Sequence, residues 1–409
     1  MRINPENHRG LIKSCKMKGK KNMETTKKAV TISILNNKGG VGKTSSCTAI
    51  ASILGMIGHS CLVIDNDFQA NATMTFLSEE DASREVKGIT DLFRMRVFTE
   101  ESVKECITHT PYPGVDIVAS RPEHQGTESY LLANSREMVI HKQLRKAIRQ
   151  VEDEYDFILI DTHPDLNVVA QNALCCSDYV LTPVSADGYS FQGLTPLTNG
   201  ILQISQDEDL NPNLKLLGVF VTNNDMQASS YDQFCEFYRS ELGDKFIPIT
   251  IRQDAAIAAV TTYLCPLPSL LSGLDYRVKS TWKGVYDYIE LLRQVELIDD
   301  VDYLVARSTM EIINRTMAIH IADMDAPLPT IDYVELTPKA AGRTNEKYRN
   351  PWAFEYEDIV KALNETPELL EEVRKSILRV ADPEYLLRFI LPNQATTLVK
   401  ASALQEEEE

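Results

Sequence analysis

The segment that decides the fold reads Asn36-Asn37-Lys38-Gly39-Gly40-Val41-Gly42-Lys43-Thr44-Ser45. An apolar run, Val30–Leu35, precedes it, and a helical pattern, Thr44–Met56, follows it. Glycines let a backbone curl so that successive N–H groups point at phosphate oxygens, and the amino end of the next helix adds partial positive charge. The pattern therefore predicts a phosphate-binding loop in which Lys43 reaches the β- and γ-phosphates and the Thr44 hydroxyl holds Mg²⁺.

The loop carries a second lysine, Lys38, and it has Asn37 where the standard pattern has glycine. A lysine at position 38 points away from its own nucleotide. It can therefore bind a phosphate only when another subunit supplies one. The stretch Lys-Gly-Gly-Val-Gly-Lys-Thr resembles the deviant Walker A motif of the ParA/MinD family of ATPases. The resemblance implies that ATP is bound by the loop residues, which are Lys38, Gly39, Gly40, Val41, Gly42, Lys43, Thr44 and Ser45.

Two carboxylates, Asp65 and Asp67, stand at alternate positions after the apolar run Leu62–Ile64. Side chains two residues apart in a strand share a face, so both are expected to face the cleft of the phosphate loop. Two carboxylates repel a triphosphate unless Mg²⁺ or a lysine lies nearby. Their placement beside the phosphate loop therefore indicates that they are used in catalysis. The stretch is similar to the family's Asp-x-Asp-Pro-Gln segment, which implies that Asp67 positions the attacking water. Phe68 stands where the family has proline.

The apolar run Phe157–Ile160 ends in Asp161, and this is the Walker B pattern, whose aspartate holds Mg²⁺ usually through a water. The family reads Asp-x-Pro-Pro at this point, and His163 takes the place of the first proline. The favoured interpretation of His163 is a loop histidine without a function. A pH sensor or a contact to the γ-phosphate is the alternative.

The motifs follow one another in the family's order from about Val30 to Val295, and both ends of the chain lie outside the resemblance. The apolar run that ends near Asn223 resembles the strand whose end contacts adenine. Asn223 is therefore a candidate base contact, by resemblance alone.

Apolar runs rich in β-branched residues alternate with helical patterns, as a parallel sheet flanked by helices requires. Six strands are predicted: Val30–Leu35, Leu62–Ile64, Val115–Val118, Phe157–Ile160, Tyr179–Val184 and Leu216–Val221. Helices are predicted at Thr44–Met56, Asn167–Cys176, Phe191–Ile204 and Val278–Val295. The predicted fold is an α/β, doubly wound, mainly parallel sheet of the P-loop NTPase type, with ligands at the carboxyl ends of the strands.

Three domains are predicted: a basic disordered tail at residues 1–28, a ParA-like ATPase domain at residues 29–298, and a mostly helical appendage at residues 299–409. Within the appendage, helices are expected at Tyr303–Ile321 and Ile359–Val380, and the acidic end at residues 405–409 is expected to be disordered. If the appendage is separate, a chain that ends at Asp300 keeps nucleotide binding. The start codon is either Met1 or Met23.

The composition restricts the function classes. A formal net charge of −17 over 409 residues argues against a basic surface wrapped around nucleic acid and against a polybasic membrane anchor. There is no apolar run of about eighteen residues, so no transmembrane helix is expected. Eight cysteines without a C-x-x-C pair predict reduced, packed thiols and disfavour zinc and iron–sulfur sites. The expected location is the cytoplasm.

The motifs imply a mechanism. ATP hydrolysis needs positioning and charge neutralisation more than covalent chemistry. The expected catalytic residues are Lys38, Lys43, Asp67 and Asp161, and Mg²⁺ is expected on Thr44 and, through water, on Asp161. By the resemblance, Lys38 of one chain completes the site of its partner, so ATP brings two chains into a homodimer and hydrolysis separates them.

Two uses of this switch remain open. In the ParA branch, the ATP dimer binds DNA non-specifically and moves a plasmid or other cargo, prompted by a ParB-like activator. The cations that are candidates for DNA contact are Arg252, Arg277, Lys279 and Lys283. In the alternative, the switch gates the appendage, which binds a protein partner in a regulatory or defence-type complex without DNA.

Overall fold

The computed structural model of the chain describes residues 28–77, 81, 87–136, 138–186, 188–224, 231–252, 257, 283–315 and 366–380. Several sequence predictions fall outside these ranges. They are residues 1–27 of the tail, the acidic end at residues 405–409, and the candidate cations Arg277 and Lys279.

An eight-stranded sheet lies at the centre of the described chain. Its strands are β1 (Val30–Ile34), β2 (Cys61–Asn66), β3 (Thr108–His109), β4 (Val115–Val118), β5 (Phe157–Thr162), β6 (Tyr179–Val184), β7 (Lys215–Asn224) and β8 (Phe246–Arg252). They lie in the order β3-β4-β2-β5-β1-β6-β7-β8, and every neighbouring pair is parallel except β3 and β4. The predicted mainly parallel α/β sheet is confirmed.

Helices connect these strands and continue beyond them. They are α1 (Lys43–Ile57), α2 (Asn71–Phe76), α3 (Ile89–Arg94), α4 (Glu100–Lys104), α5 (Thr127–Ala133), α6 (Gln143–Ile148), α7 (Val168–Cys176), α8 (Gly188–Gln206), α9 (Tyr231–Leu242), α10 (Lys283–Gln294), α11 (Asp300–Arg315) and α12 (Pro367–Val380). Short 3₁₀ turns occupy Pro122–Gly126 and Gly243–Lys245. Within the described residues, no helix is long and apolar enough to span a membrane.

The sheet is covered on both faces. In β5, Phe157 and Leu159 pack in the cluster that contains α1, whereas Ile158 and Ile160 pack in a second cluster with α3, α6 and α7. Successive side chains of a strand point to opposite faces, so an unbroken apolar run is stable only with cover on both sides. This is the reason that the continuous apolar runs of the sequence become the inner strands.

Two of the strands are missing from the sequence prediction. β8 contains Pro248, and a proline inside an apolar run argues against a central strand. β8 lies at the edge of the sheet, where proline is tolerated, and Pro248 is exposed there. β3 has only two residues, which is too short for a periodic pattern.

The carboxyl-terminal helices pack on α1, the helix that follows the phosphate loop. Tyr303 and Met310 of α11 and Leu369 and Val373 of α12 are buried in the same apolar cluster as α1 and one face of the sheet. The helical character predicted for this part of the chain is confirmed. The two helices share a core with residues 29–298, so the division at residue 298 stays a proposal.

α12 also completes the carboxyl end of α1. Ser376 Oγ donates a hydrogen bond to the carbonyl oxygen of Met56 at 2.9 Å, and Arg379 Nη1 lies 3.4 Å from the same oxygen. The last carbonyl groups of a helix have no partner within the helix, and a cation near them interacts favourably with the helix dipole. The segment at residues 367–380 therefore stabilises the end of α1 that is opposite to the phosphate loop.

The bounds of the last helices differ from the predicted ones. α12 begins at Pro367, since Thr366 is not helical and proline suits the first position of a helix. The predicted start at Ile359 lies outside the described residues, as do residues 316–321 of the helix predicted at Tyr303–Ile321 and residues 278–282 of the one at Val278–Val295.

Candidate functional site

The predicted site lies where three neighbouring strands end. β5 lies between β2 and β1, and its Asp161 is in register with Asp65 of β2 and with Ile34 of β1. The phosphate loop begins directly after β1. Asp161 is therefore flanked on one side by the loop and on the other by the acidic end of β2.

The loop has the backbone shape that its glycines predict. Gly40 and Gly42 have φ angles of 74° and 83°, in the left-handed region that favours glycine. At the start of the loop, Asn36 Nδ2 donates to the carbonyl oxygen of Pro183 at 2.7 Å, and Asn36 Oδ1 accepts the N–H of Lys38 at 2.9 Å. A buried asparagine thus anchors the loop to β6.

The amino end of α1 is suited to an anion. Gly42 is its N-cap and supplies no side-chain acceptor, and the first turn holds no acidic residue. The first N–H groups of a helix have no partner within the helix, and the helix dipole places partial positive charge there. With the curled loop before it, this end of α1 has the features of a phosphate site.

Lys43 is buried next to three carboxylates. Its side chain is 7% exposed, and its Nζ donates to the carbonyl oxygen of Lys38 at 3.1 Å. Burial lowers the pKa of Lys43, while Asp161, Asp67 and Asp165 act in the opposite direction. The structure therefore brings Lys43 together with both aspartates that the sequence assigns to catalysis.

Asp161 is fully buried, and neither of its carboxylate oxygens has a hydrogen-bond partner of good geometry among the described residues. Burial raises the pKa of Asp161 well above its ordinary value, and nearby Asp65 adds to the increase, while the hydroxyl of Thr44 and the charge of Lys43 oppose it. An unsatisfied buried carboxylate beside a hydroxyl is an arrangement that a divalent cation would satisfy. The donor set of Asp161 and Thr44 fits Mg²⁺.

Asp65, near the end of β2, and Asp67, directly after it, are both expected to face the cleft, but they make different contacts. Asp65 is fully buried, and its Oδ2 accepts hydrogen bonds from the N–H and the hydroxyl of Thr73 at 2.8 and 2.7 Å. Burial raises the pKa of Asp65 to about 6, although these hydrogen bonds oppose the increase. Asp65 therefore holds the start of α2, and Asp67, 7% exposed, is the carboxylate left for the site.

The end of β7 touches the phosphate loop through Thr222. Its hydroxyl donates to the carbonyl oxygen of Val41 at 2.6 Å. Asn223, the predicted base contact, is the next residue along β7, but its side chain lies outside the described part of the structure. That assignment stays a prediction. Thr222 carries no motif signal, so the sequence does not reveal its contact with the loop.

Phe68 and His163, which stand where the family has prolines, contact each other. Their rings stack with centroids 4.6 Å apart and an interplanar angle of 29°. The His163 ring is also close to Asp165, whose Oδ2 lies 3.3 Å from its Nδ1. His163 is thus part of a defined contact between two loops of the site, which the favoured sequence interpretation does not include.

A further histidine, His124, supports the end of β2 and has no signal in the sequence. It is 4% exposed, stacks on Phe93 with centroids 5.6 Å apart, and has Nδ1 3.0 Å from Thr127 Oγ1. Burial lowers the pKa of His124 to about 4, although a hydrogen bond to the backbone of Asn66 opposes this. His124 is therefore neutral in the folded protein at neutral pH.

We expect His124 to make the protein less stable as the pH falls from about 6.5 to about 4. In that range the unfolded chain takes up a proton on this side chain and the folded chain does not, so the free energy of unfolding decreases by roughly 3 kcal/mol in total. Urea denaturation at a series of pH values, for the wild type and His124→Gln, isolates this contribution as the difference between the two curves. His109→Gln, at a side chain that is 90% exposed, is the control. If the free energy of unfolding depends on pH in the same way for wild type and His124→Gln, the lowered pKa of His124 is contradicted.

Known proteins resemble this chain in sequence and in fold. A family model described as an AAA domain matches residues 29–216. The chain is 29% identical over 265 residues to the chromosome partitioning protein ParA of Myxococcus xanthus, an alignment that covers 64% of this chain and 87% of that protein. It is 33% identical over 232 residues to an uncharacterized protein of Pseudomonas putida, covering 55% of this chain and 82% of that one. The fold matches McdA of Cyanothece, solved as an ATP complex, with a TM-score of 0.55, 14% identity, and coverage of 66% of this chain and 98% of that one.

Proposed function

Because the chain belongs to the ParA/MinD-type P-loop ATPases, we propose that it is an ATP-dependent dimerisation switch that hydrolyses ATP with Mg²⁺. The observation that carries this proposal is the environment of Asp161. It is fully buried beside Thr44 and Lys43, and neither of its carboxylate oxygens has a hydrogen bond of good geometry among the described residues. A buried polar group without good hydrogen bonds needs an explanation, and a bound cation is one that the neighbouring Thr44 hydroxyl also fits.

Each residue of the site has one role in this proposal. The N–H groups of residues 39–45 and the Nζ of Lys43 bind the phosphates, and the amino end of α1 adds its partial positive charge. Thr44 and Asp161 would hold Mg²⁺, which would neutralise charge on the phosphates. Asp67 orients the attacking water, since it is the carboxylate after β2 that is not engaged with Thr73.

Lys38 is proposed to serve the nucleotide of a second copy of the chain. A monomer then lacks one positive charge in the transition state, so turnover is slow until ATP brings two chains together. Loss of one such donor lowers a rate by about 10²–10³-fold. ATP binding therefore favours the dimer, and hydrolysis returns it to monomers.

The switch is proposed to act in DNA or plasmid partition, as the names of its relatives suggest, and the family resemblance adds a ParB-like activator. One of the candidate DNA contacts has a partner within the chain. Arg252 forms a two-point ion pair with Asp287, with Nε–Oδ2 at 2.7 Å and Nη2–Oδ1 at 2.5 Å. Its guanidinium joins β8 to α10, and this pairing argues against a contact with phosphate. Lys283, at the start of α10, is exposed and remains a candidate.

The pairing of Arg252 favours a second function, in which the switch controls a protein partner without DNA. The net charge of −17 points the same way. In this alternative the carboxyl-terminal helices transmit the nucleotide state, since α11 and α12 lie against α1, whose other end holds the phosphates.

The decisive experiment uses Asp67→Ala, which is expected to bind ATP, remain a dimer and not hydrolyse it. Its sedimentation with ATP, with ADP and without nucleotide tests the switch, and dimer only with ATP is the expected result. Binding to a random DNA duplex at several salt concentrations then separates the two functions. Partition predicts binding that needs ATP and weakens steeply with salt. Binding that is absent, or equal in all nucleotide states, supports the protein-partner function, which a pull-down with the ATP-locked variant then tests.

A further inference from the structure

Phe68 and His163 join two loops of the site that are far apart in the sequence. Phe68 directly follows Asp67 in the loop after β2, and His163 lies two residues after Asp161 in the loop after β5. Their rings stack at a centroid distance of 4.6 Å. The proposed water-orienting residue and the proposed Mg²⁺ ligand are thus connected through an aromatic contact.

Each ring belongs to a loop with hydrogen bonds of its own. On one side, Asp67 Oδ1 accepts the N–H of Gln69 at 2.9 Å and the Asp67 carbonyl accepts the N–H of Ala70 at 3.0 Å, which closes a tight turn around Phe68. On the other side, Nδ1 of His163 lies 3.4 Å from the backbone nitrogen of Asp165. A shift of one loop is therefore passed to the other through the stack.

We propose that Phe68 and His163 are a positioning pair, whose stack sets the place of Asp67 relative to Asp161 and Lys43. Neither ring is assigned a contact with the reacting atoms. The proposal rests on the ATPase function proposed above. A displacement of about 1 Å in a reacting group lowers a rate by about a hundredfold, whereas ATP binding through the phosphate loop does not depend on the stack. The pair should therefore affect kcat far more than KM.

The proposal requires an aromatic ring at both positions, so replacing a ring with alanine and restoring it with phenylalanine tests it. Phe68→Ala and His163→Ala should each lower kcat for ATP about tenfold or more and change KM less than about twofold. The double variant should be no slower than the slower single one, because the contact is lost once. His163→Phe keeps a ring of similar shape and should restore kcat to within about threefold of the wild type. His109→Ala, at an exposed histidine of β3, is the matched control and should keep the wild-type kcat.

A second measurement does not depend on turnover. Hydrogen–deuterium exchange should become faster at residues 163–166 in Phe68→Ala and at residues 67–70 in His163→Ala, so that each change is seen in the opposite loop. The proposal is overturned if the losses in kcat are additive, if His163→Phe is as slow as His163→Ala, or if faster exchange is confined to the mutated loop. A wild type that does not hydrolyse ATP refutes the proposed function instead, and the exchange result alone then decides on the pair.

Discussion

ATP turnover should fall by about a hundredfold or more when Lys38 is replaced by alanine, while the affinity for ATP changes only a few-fold. Two contacts that shape the loop come from the backbone of Lys38, because its N–H donates to Asn36 and its carbonyl accepts the Nζ of Lys43. Alanine keeps both of these backbone contacts and removes the ammonium group with the rest of the side chain. Phosphate release over a range of protein concentrations, with ATP binding measured separately, checks this result.

A mixing experiment decides whether Lys38 acts in its own site or in that of its partner. Lys38→Ala and Asp67→Ala are each expected to be inactive. In a mixed dimer, the site of the Lys38→Ala chain has its own Asp67 and receives Lys38 from the other chain. An equal mixture should therefore recover about a quarter of the wild-type rate, since about half of the dimers are mixed and each has one complete site. A mixture that stays inactive, although mixed dimers form, would falsify the role across the interface.

The fold was predictable from local pattern wherever a strand is covered on both faces. The runs that became β1, β2, β4, β5 and β6 agree with the structure to within two residues at either end. β8 was not predictable in this way, because Pro248 hides an edge strand whose place depends on its neighbour β7. The position of α11 and α12 on α1 was also beyond the sequence, since an amphipathic pattern shows that a helix has an apolar face and not what covers it.

The site was predictable where the chemistry lies in a short stretch. Loop geometry needs glycines at fixed spacing, and Asp161 follows from an apolar run with one terminal carboxylate, so both are visible in the sequence. Contacts between distant segments are not visible. In the sequence Asp65 and Asp67 are equivalent, and only the structure shows that Thr73 donates hydrogen bonds to Asp65. Likewise, only the structure shows that Arg252 pairs with Asp287.

A chain that ends at Ile298 should fail to fold stably or should aggregate, contrary to the expectation that truncation leaves nucleotide binding intact. The deletion removes buried side chains of α11 and α12 from the core and exposes the apolar surface of α1 and α10 that they cover. Each large buried side chain contributes about 1.5–3 kcal/mol by burial, and a domain is typically stable by only about 5–15 kcal/mol in total. The cap on Met56 is lost as well. Soluble yield, circular dichroism and the unfolding midpoint in urea measure the effect.

A chain that ends at Val380 is the matched control, because it keeps both helices and should fold and bind ATP like the full chain.

Within the full chain, Ser376→Ala should reduce the free energy of unfolding by about 1 kcal/mol, since it removes the buried hydrogen bond to Met56. Lys375→Ala, at the exposed neighbouring residue of α12, should change it by less than about 0.5 kcal/mol. Because α1 carries the phosphate loop at its other end, loosening this contact should also weaken ATP binding before the protein unfolds. A chain ending at Ile298 that is soluble, has the full unfolding midpoint and binds ATP normally would instead establish residues 299–409 as an independent unit.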